Sequence, residues 1–172
     1  MKKTIIQMCL MLVSTVTMAQ GPATDSPRLL TAQQMITLHD NYCNDATVLS
    51  EAAKSIGLVQ IADRHSIGDN LEEEVWGRDA SYRDGEQREI KVSQPGGYAV
   101  TCICGDGVEV EIYFADRSLV EWYAAQIVAL GYERVESGDA FDIFFSRNGS
   151  YDFTITPEED VTYWIHYHSS PE

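Results

Sequence analysis

Positive charge is what this 172-residue chain has least of: 12 Lys and Arg stand against 27 Asp and Glu, a net charge of −15 with histidine neutral. A field of that sign repels phosphate backbones and anionic lipid headgroups, so no nucleic-acid partner is expected. Catalytic signatures are missing too. The sequence holds no Gly-x-Ser-x-Gly elbow, no phosphate-cradling glycine loop and no His-Glu-x-x-His helix, so no catalytic residue, metal or cofactor is assigned. Beyond the N-terminus no segment approaches the ~20 apolar residues of a membrane-spanning helix.

The chain opens Met1-Lys2-Lys3, runs apolar from Thr4 to Met18 and reaches Thr17-Met18-Ala19 before Gln20. This is the pattern of a secretory signal peptide over residues 1–19, cleaved after Ala19, and it places the mature protein in the periplasm or outside the cell. Cys9 lies inside the apolar run rather than at its end, which argues against a lipid anchor. Residues 20–30 have the composition of a flexible linker.

Three cysteines remain after cleavage: Cys43, Cys102 and Cys104. Cys102 and Cys104 sit two apart in an extended apolar stretch, so they share a face and a bond between them would be strained. Cys43 can bridge to Cys102 or Cys104, as an oxidising compartment permits, and one thiol is then left over. The plainer alternative is that both act as small buried hydrophobes on one core face with Val100.

A helical theme is written twice, over 46–56 and 118–130, each time closing on glycine and an apolar strand start: Ile56-Gly57-Leu58 and Leu130-Gly131-Tyr132. Thr31 with Gln34 makes a capping box for an additional helix near 32–42, and Asn44 or Asp45 can cap the next. Ser118 with Glu121 makes a second box. Extended runs follow the first copy at Leu58–Ala62, around Glu74–Trp76, and at Glu89–Val92, Tyr98–Cys104 and Val108–Phe114. The second copy continues into Tyr132–Glu136, Phe141–Arg147, Tyr151–Thr156 and Val161–His168, with Asn148-Gly149 as a type I′ turn.

The expected fold is α+β: two tandem related units, each a helix packed on an antiparallel sheet of about four strands. The first spans 31–115 with an insertion at 63–97, and the second spans 116–172. The excess of roughly 20 residues in the first unit is a long polar loop, a common place for function. In element order alone, such units resemble the tandem units of secreted inhibitor-type domains.

Alternation places Val108, Val110, Ile112 and Phe114 inward, with Glu109, Glu111 and Tyr113 outward. It likewise sends Phe141, Ile143, Phe145, Tyr163, Ile165 and Tyr167 to the core. The opposite face then carries Phe144, Trp164, His166 and His168 among Asp142, Asp152, Thr154 and Thr162. Outward aromatics among polar groups are how a sheet binds a protein or glycan, so Tyr113, Phe144, Trp164, His166 and His168 are the ligand-binding candidates. The plainer reading is that another layer covers them.

Asp63–Glu74 has acid, glycine and glutamate at the first, sixth and twelfth places of a calcium loop. However, His65 and Ile67 stand where oxygen ligands are required. His166 and His168 project to one side of a strand, but two ligands do not make a metal site. Asn148-Gly149-Ser150 fits a glycosylation acceptor, although its turn role accounts for it. The expected function is a secreted or periplasmic non-catalytic binding module for a protein or glycan ligand. The alternatives are a small metal- or thiol-dependent enzyme and an inhibitor of a secreted enzyme.

Overall fold

A computed structural model describes residues 28–68, 70–85, 88–105, 107–136, 142–157 and 162–168, with Glu136 and Tyr151 known by backbone alone. The expected signal peptide, most of the linker, Phe141 and the turns at 137–139 and 158–160 lie outside these residues.

The first helix, α1 (Ala32–Asn41), starts at the expected capping box: Gln34 N donates to Thr31 Oγ1 at 3.2 Å and Thr31 N donates to Gln34 Oε1 at 2.8 Å. Helices α2 (Thr47–Ser55) and α3 (Ser118–Ala129) begin alike. Asp45 Oδ1 accepts from Thr47 N at 3.0 Å and from its hydroxyl at 2.7 Å. Asp116 Oδ1 accepts from Ser118 N at 2.9 Å and from its hydroxyl at 2.7 Å. The Ser118–Glu121 box is therefore replaced by an Asp-centred turn two residues upstream, because the aspartate's reach satisfies the first amide more directly. Both helices end in the same motif. Gly57 (φ 80°) and Gly131 (φ 90°) donate to Lys54 O and Val128 O, while Leu58 and Tyr132 donate to Ala53 O and Ile127 O.

The strands are β1 (Val59–Gly68), β2 (Leu71–Arg78), β3 (Ala80–Arg83), β4 (Glu89–Val92), β5 (Tyr98–Cys104), β6 (Val108–Phe114), β7 (Glu133–Glu136), β8 (Ile143–Arg147), β9 (Ser150–Pro157) and β10 (Tyr163–His168). Asn148 (φ 55°) and Gly149 (φ 87°) form the β8–β9 turn with the positive φ pair expected of it. Eight strands make one antiparallel sheet in the order β1-β2-β5-β6-β10-β9-β8-β7, while β3 and β4 pair separately. Sheets of about four strands give way to this single larger sheet because β6 and β10 pair along their whole length, Tyr163 opposite Phe114 through His168 opposite Glu109.

The sheet has two differently covered faces. On one, α1 crosses β6 and β10 and packs on α3, over a core that includes Tyr98, Val100, Cys102, Ile112, Phe114, Phe145, Phe153 and Ile165. Each such side chain, fully buried, contributes about 1.5–3 kcal/mol. Two of the buried tyrosines there are partnered: Tyr123 OH meets Tyr98 OH at 2.8 Å and donates to Leu30 O at 2.8 Å. Cys43, in the turn after α1, is bonded to Cys104 at the end of β5, and Cys102 is a free buried thiol. This pairing resolves the two alternatives left open by the spacing.

On the opposite face the insertion folds back as the β3–β4 hairpin. It encloses a second cluster of Val75, Ile90, Val92, Ala99 and Tyr113, with Tyr82 and Trp164 at its margin. Glu111 and Tyr113 lie on the expected face but are buried, because this hairpin covers them. Asp63–Glu74, apart from Asp69, which is outside the described residues, forms the β1–β2 hairpin, so no helix follows it as a calcium loop would need.

Candidate functional site

The half of this face that lies beyond the hairpin is built by β6, β10, β9 and β8. Register sets Tyr113 opposite Trp164, Glu111 opposite His166 and Glu109 opposite His168. Across β9, Thr156 faces Trp164, and Thr154 stands between His166 and Phe144. Period-two alternation thus brings all five candidate residues to one side of four adjacent strands.

Four of them form a row of near-parallel rings. Tyr113 and Trp164 have centroids 6.3 Å apart, Trp164 and His166 5.4 Å, and His166 and His168 6.1 Å, with interplanar angles of 18°, 21° and 17°. Tyr113 is the buried end, its hydroxyl donating to Glu111 Oε2 at 2.9 Å, and burial pushes its pKa well above the ordinary value. Trp164, His166, His168 and Phe144 are half-buried. Phe144 lies across β9 from the row rather than within it.

The row has polar atoms without partners. Trp164 Nε1, His166 Nε2 and His168 Nδ1 are shielded from solvent and make no hydrogen bond among the described residues. His166 Nε2 is 3.5 Å from Glu109 Oε2, an ion-pair contact at the outer edge of hydrogen-bonding range. That contact, opposed by partial burial and aided by the more distant His168 and Arg88, holds the Glu109 carboxyl below the usual glutamate range. His168 packs against the β5–β6 turn, where a Cβ on Gly107 would lie 3.4 Å from its Cε1.

The hairpin is pinned beside this row by a buried ionic network that alternation alone does not reveal. Arg88 donates from Nε to Glu73 Oε1 and Oε2 at 3.0 and 2.9 Å, and from one terminal nitrogen to Glu111 Oε2 at 2.6 Å. Burial works against the Arg88 charge, but Glu73 and Glu111 outweigh it and raise the guanidinium pKa. Thr101 and Tyr82 hydroxyls complete Glu73 at 2.8 and 3.1 Å, and His65 Nε2 lies 2.6 Å from the Tyr82 hydroxyl. Glu111 stands out between Val110 and Ile112, whereas Glu73, the middle of three consecutive glutamates, gives no such signal.

Asp152, expected on the open face, is instead buried where its charge acts on Tyr132 and Tyr167 of the helix-side core. A register shift between Phe145 and Ser146 accounts for the change, since a bulge alters which side a residue faces.

None of the three described cysteines is set up as a nucleophile. Cys104 is bonded, and burial, reinforced by Glu74 and Glu111, pushes the Cys102 thiol well above its ordinary pKa. That is the reverse of what a nucleophilic thiolate needs. Among the described residues no three His, Cys, Asp or Glu side chains gather where they could hold a metal ion. No helix among them is long and apolar enough to cross a membrane. Comparison with protein-family models, with curated proteins and with solved structures finds no match.

Proposed function

We propose that this chain is an exported, non-catalytic binding module that recognises a protein or glycan ligand on the open half of its sheet, through Trp164, His166, His168 and Phe144, with Tyr113 as the buried backing ring. The observation that carries this reading is the ring row at the hairpin's margin, half-buried, with Trp164 Nε1 and His168 Nδ1 lacking any partner among the described residues. Unsatisfied buried polar atoms cost about 1–3 kcal/mol each, and such local costs cluster at functional sites.

The row also bears on ligand type. Each interior ring has neighbouring rings on both faces, 5.4 to 6.3 Å away, which leaves no room to sandwich a sugar between them. Ring edges are what remains, and these suit the carbonyls and carboxylates of a protein partner. An inhibitor of a secreted enzyme is the same reading with the partner specified.

Export rests on the N-terminal pattern of residues 1–19, and the Cys43–Cys104 bond fits an oxidising compartment. Descent from two tandem units draws support from the matching starts and ends of α2 and α3. It also draws support from the sheet order, in which β1-β2-β5-β6 and β7-β8-β9-β10 each run from an edge to the centre.

The test is Trp164→Ala, applied as immobilised protein beside wild type against the native extracellular or periplasmic fraction and a glycan array. Binding should fall at least tenfold at an unchanged melting temperature. Equal retention by both proteins, or unfolding without selective loss, removes the proposal.

A further inference from the structure

The helix side holds a cleft of about 470 Å³ between the first turn of α3 and strands β7 to β10, within the size range of small-molecule sites. Ile143, Ile155 and Tyr163 line it with apolar surface, and Arg117, Arg134 and Glu121 also line it. Two guanidiniums together are notable in a chain with 12 Lys and Arg against 27 Asp and Glu. The Arg117 side chain makes no hydrogen bond or ion pair among the described residues. Arg134 is paired with Glu121 at 3.2 Å, but that carboxylate is 71% exposed. An exposed ion pair contributes little and exchanges readily for a better-placed carboxylate.

We propose that this cleft binds a small amphipathic carboxylate, an unbranched medium-chain fatty-acid anion. Its chain lies on Ile143, Ile155 and Tyr163, and its carboxylate is held by Arg117 and Arg134. The apolar lining calls for a chain, since burying methylene groups is the main favourable term available. Two guanidiniums lining one cleft call for a single planar anion that accepts from both. The site faces away from the ring row and is independent of what binds there.

Calorimetric titration of the full mature chain with decanoate, decanol and acetate tests the proposal. Decanoate should bind saturably with Kd on the order of 10–100 µM, while decanol and acetate bind far more weakly. Arg117→Gln and Arg134→Gln should each weaken decanoate about tenfold or more. Arg83→Gln, which removes the same charge from β3, should leave its affinity unchanged. Methyl resonances of Ile143 and Ile155 should shift on titration. The proposal is overturned if decanol binds as well as decanoate, if Arg83→Gln weakens binding as much as the cleft variants, or if the shifts fall elsewhere. It also fails if a short apolar peptide with a free C-terminal carboxylate binds more tightly than decanoate, which would assign the cleft to peptide ends.

Discussion

Glu73 and Glu111 are buried carboxylates on a sheet face that places one guanidinium, that of Arg88, between them. Arg88→Met leaves two buried charges uncompensated, and unfolding in denaturant should show a loss of about 3–5 kcal/mol at neutral pH. Arg88→Lys keeps the charge but not the fork and should fall between. Glu109 has a definite pH signature. Its folded pKa is lowered, chiefly by His166, so its contribution to stability is present above the ordinary glutamate value of about 4.3 and is lost as pH falls through the folded value. In His166→Gln the Glu109 carboxyl should titrate closer to that ordinary value, as followed by carboxyl-detected NMR.

Helices α2 and α3 share one start and one stop, which yields a prediction about backbone rather than side chains. Gly57 and Gly131 have positive φ with nothing within 4 Å of an added Cβ. Alanine at either position should therefore cost about 1–2 kcal/mol by conformation alone, similarly at both sites, as read by thermal unfolding. These elements were legible because their signals are local: the glycine stops, the Asn148-Gly149 turn, and the strict alternation of β6 and β10. Of the β3–β4 hairpin only β4, Glu89–Val92, was legible. Ala80-Ser81-Tyr82-Arg83 is short and weakly apolar, and what holds the hairpin is Arg88 reaching carboxylates 15 and 23 residues away in sequence. The face of the candidate residues could be read from alternation, but the burial of Tyr113 depends on that non-local hairpin. Asp116 displacing the Ser118–Glu121 box is a near-tie between two local hydrogen-bonding schemes, decided by which acceptor reaches the first amide.

The described residues form one eight-stranded sheet with a helical layer on one face and a short hairpin on half of the other. Pairing of β6 with β10 joins the strands following α2 to those following α3, and no local pattern specifies which edges meet. One covalent link then ties the helical layer to the sheet. Cys43 follows α1 and Cys104 ends β5, with 61 residues of separation. Closing a loop of that length in the unfolded chain corresponds to about 4 kcal/mol of stabilisation on the chain-entropy account. Replacing Cys43 and Cys104 together with alanine should lower unfolding stability by up to that amount. Wild type in reductant should fall by a comparable amount, whereas the double variant should be indifferent to reductant. Cys102 provides the internal control: its thiol is fully buried, so alkylation of folded wild type should be slow and should accelerate only as the protein unfolds. Rapid labelling of Cys102 under native conditions would show that β5 opens at the sheet's centre, and the disulfide would then be holding together a layer that packing alone does not.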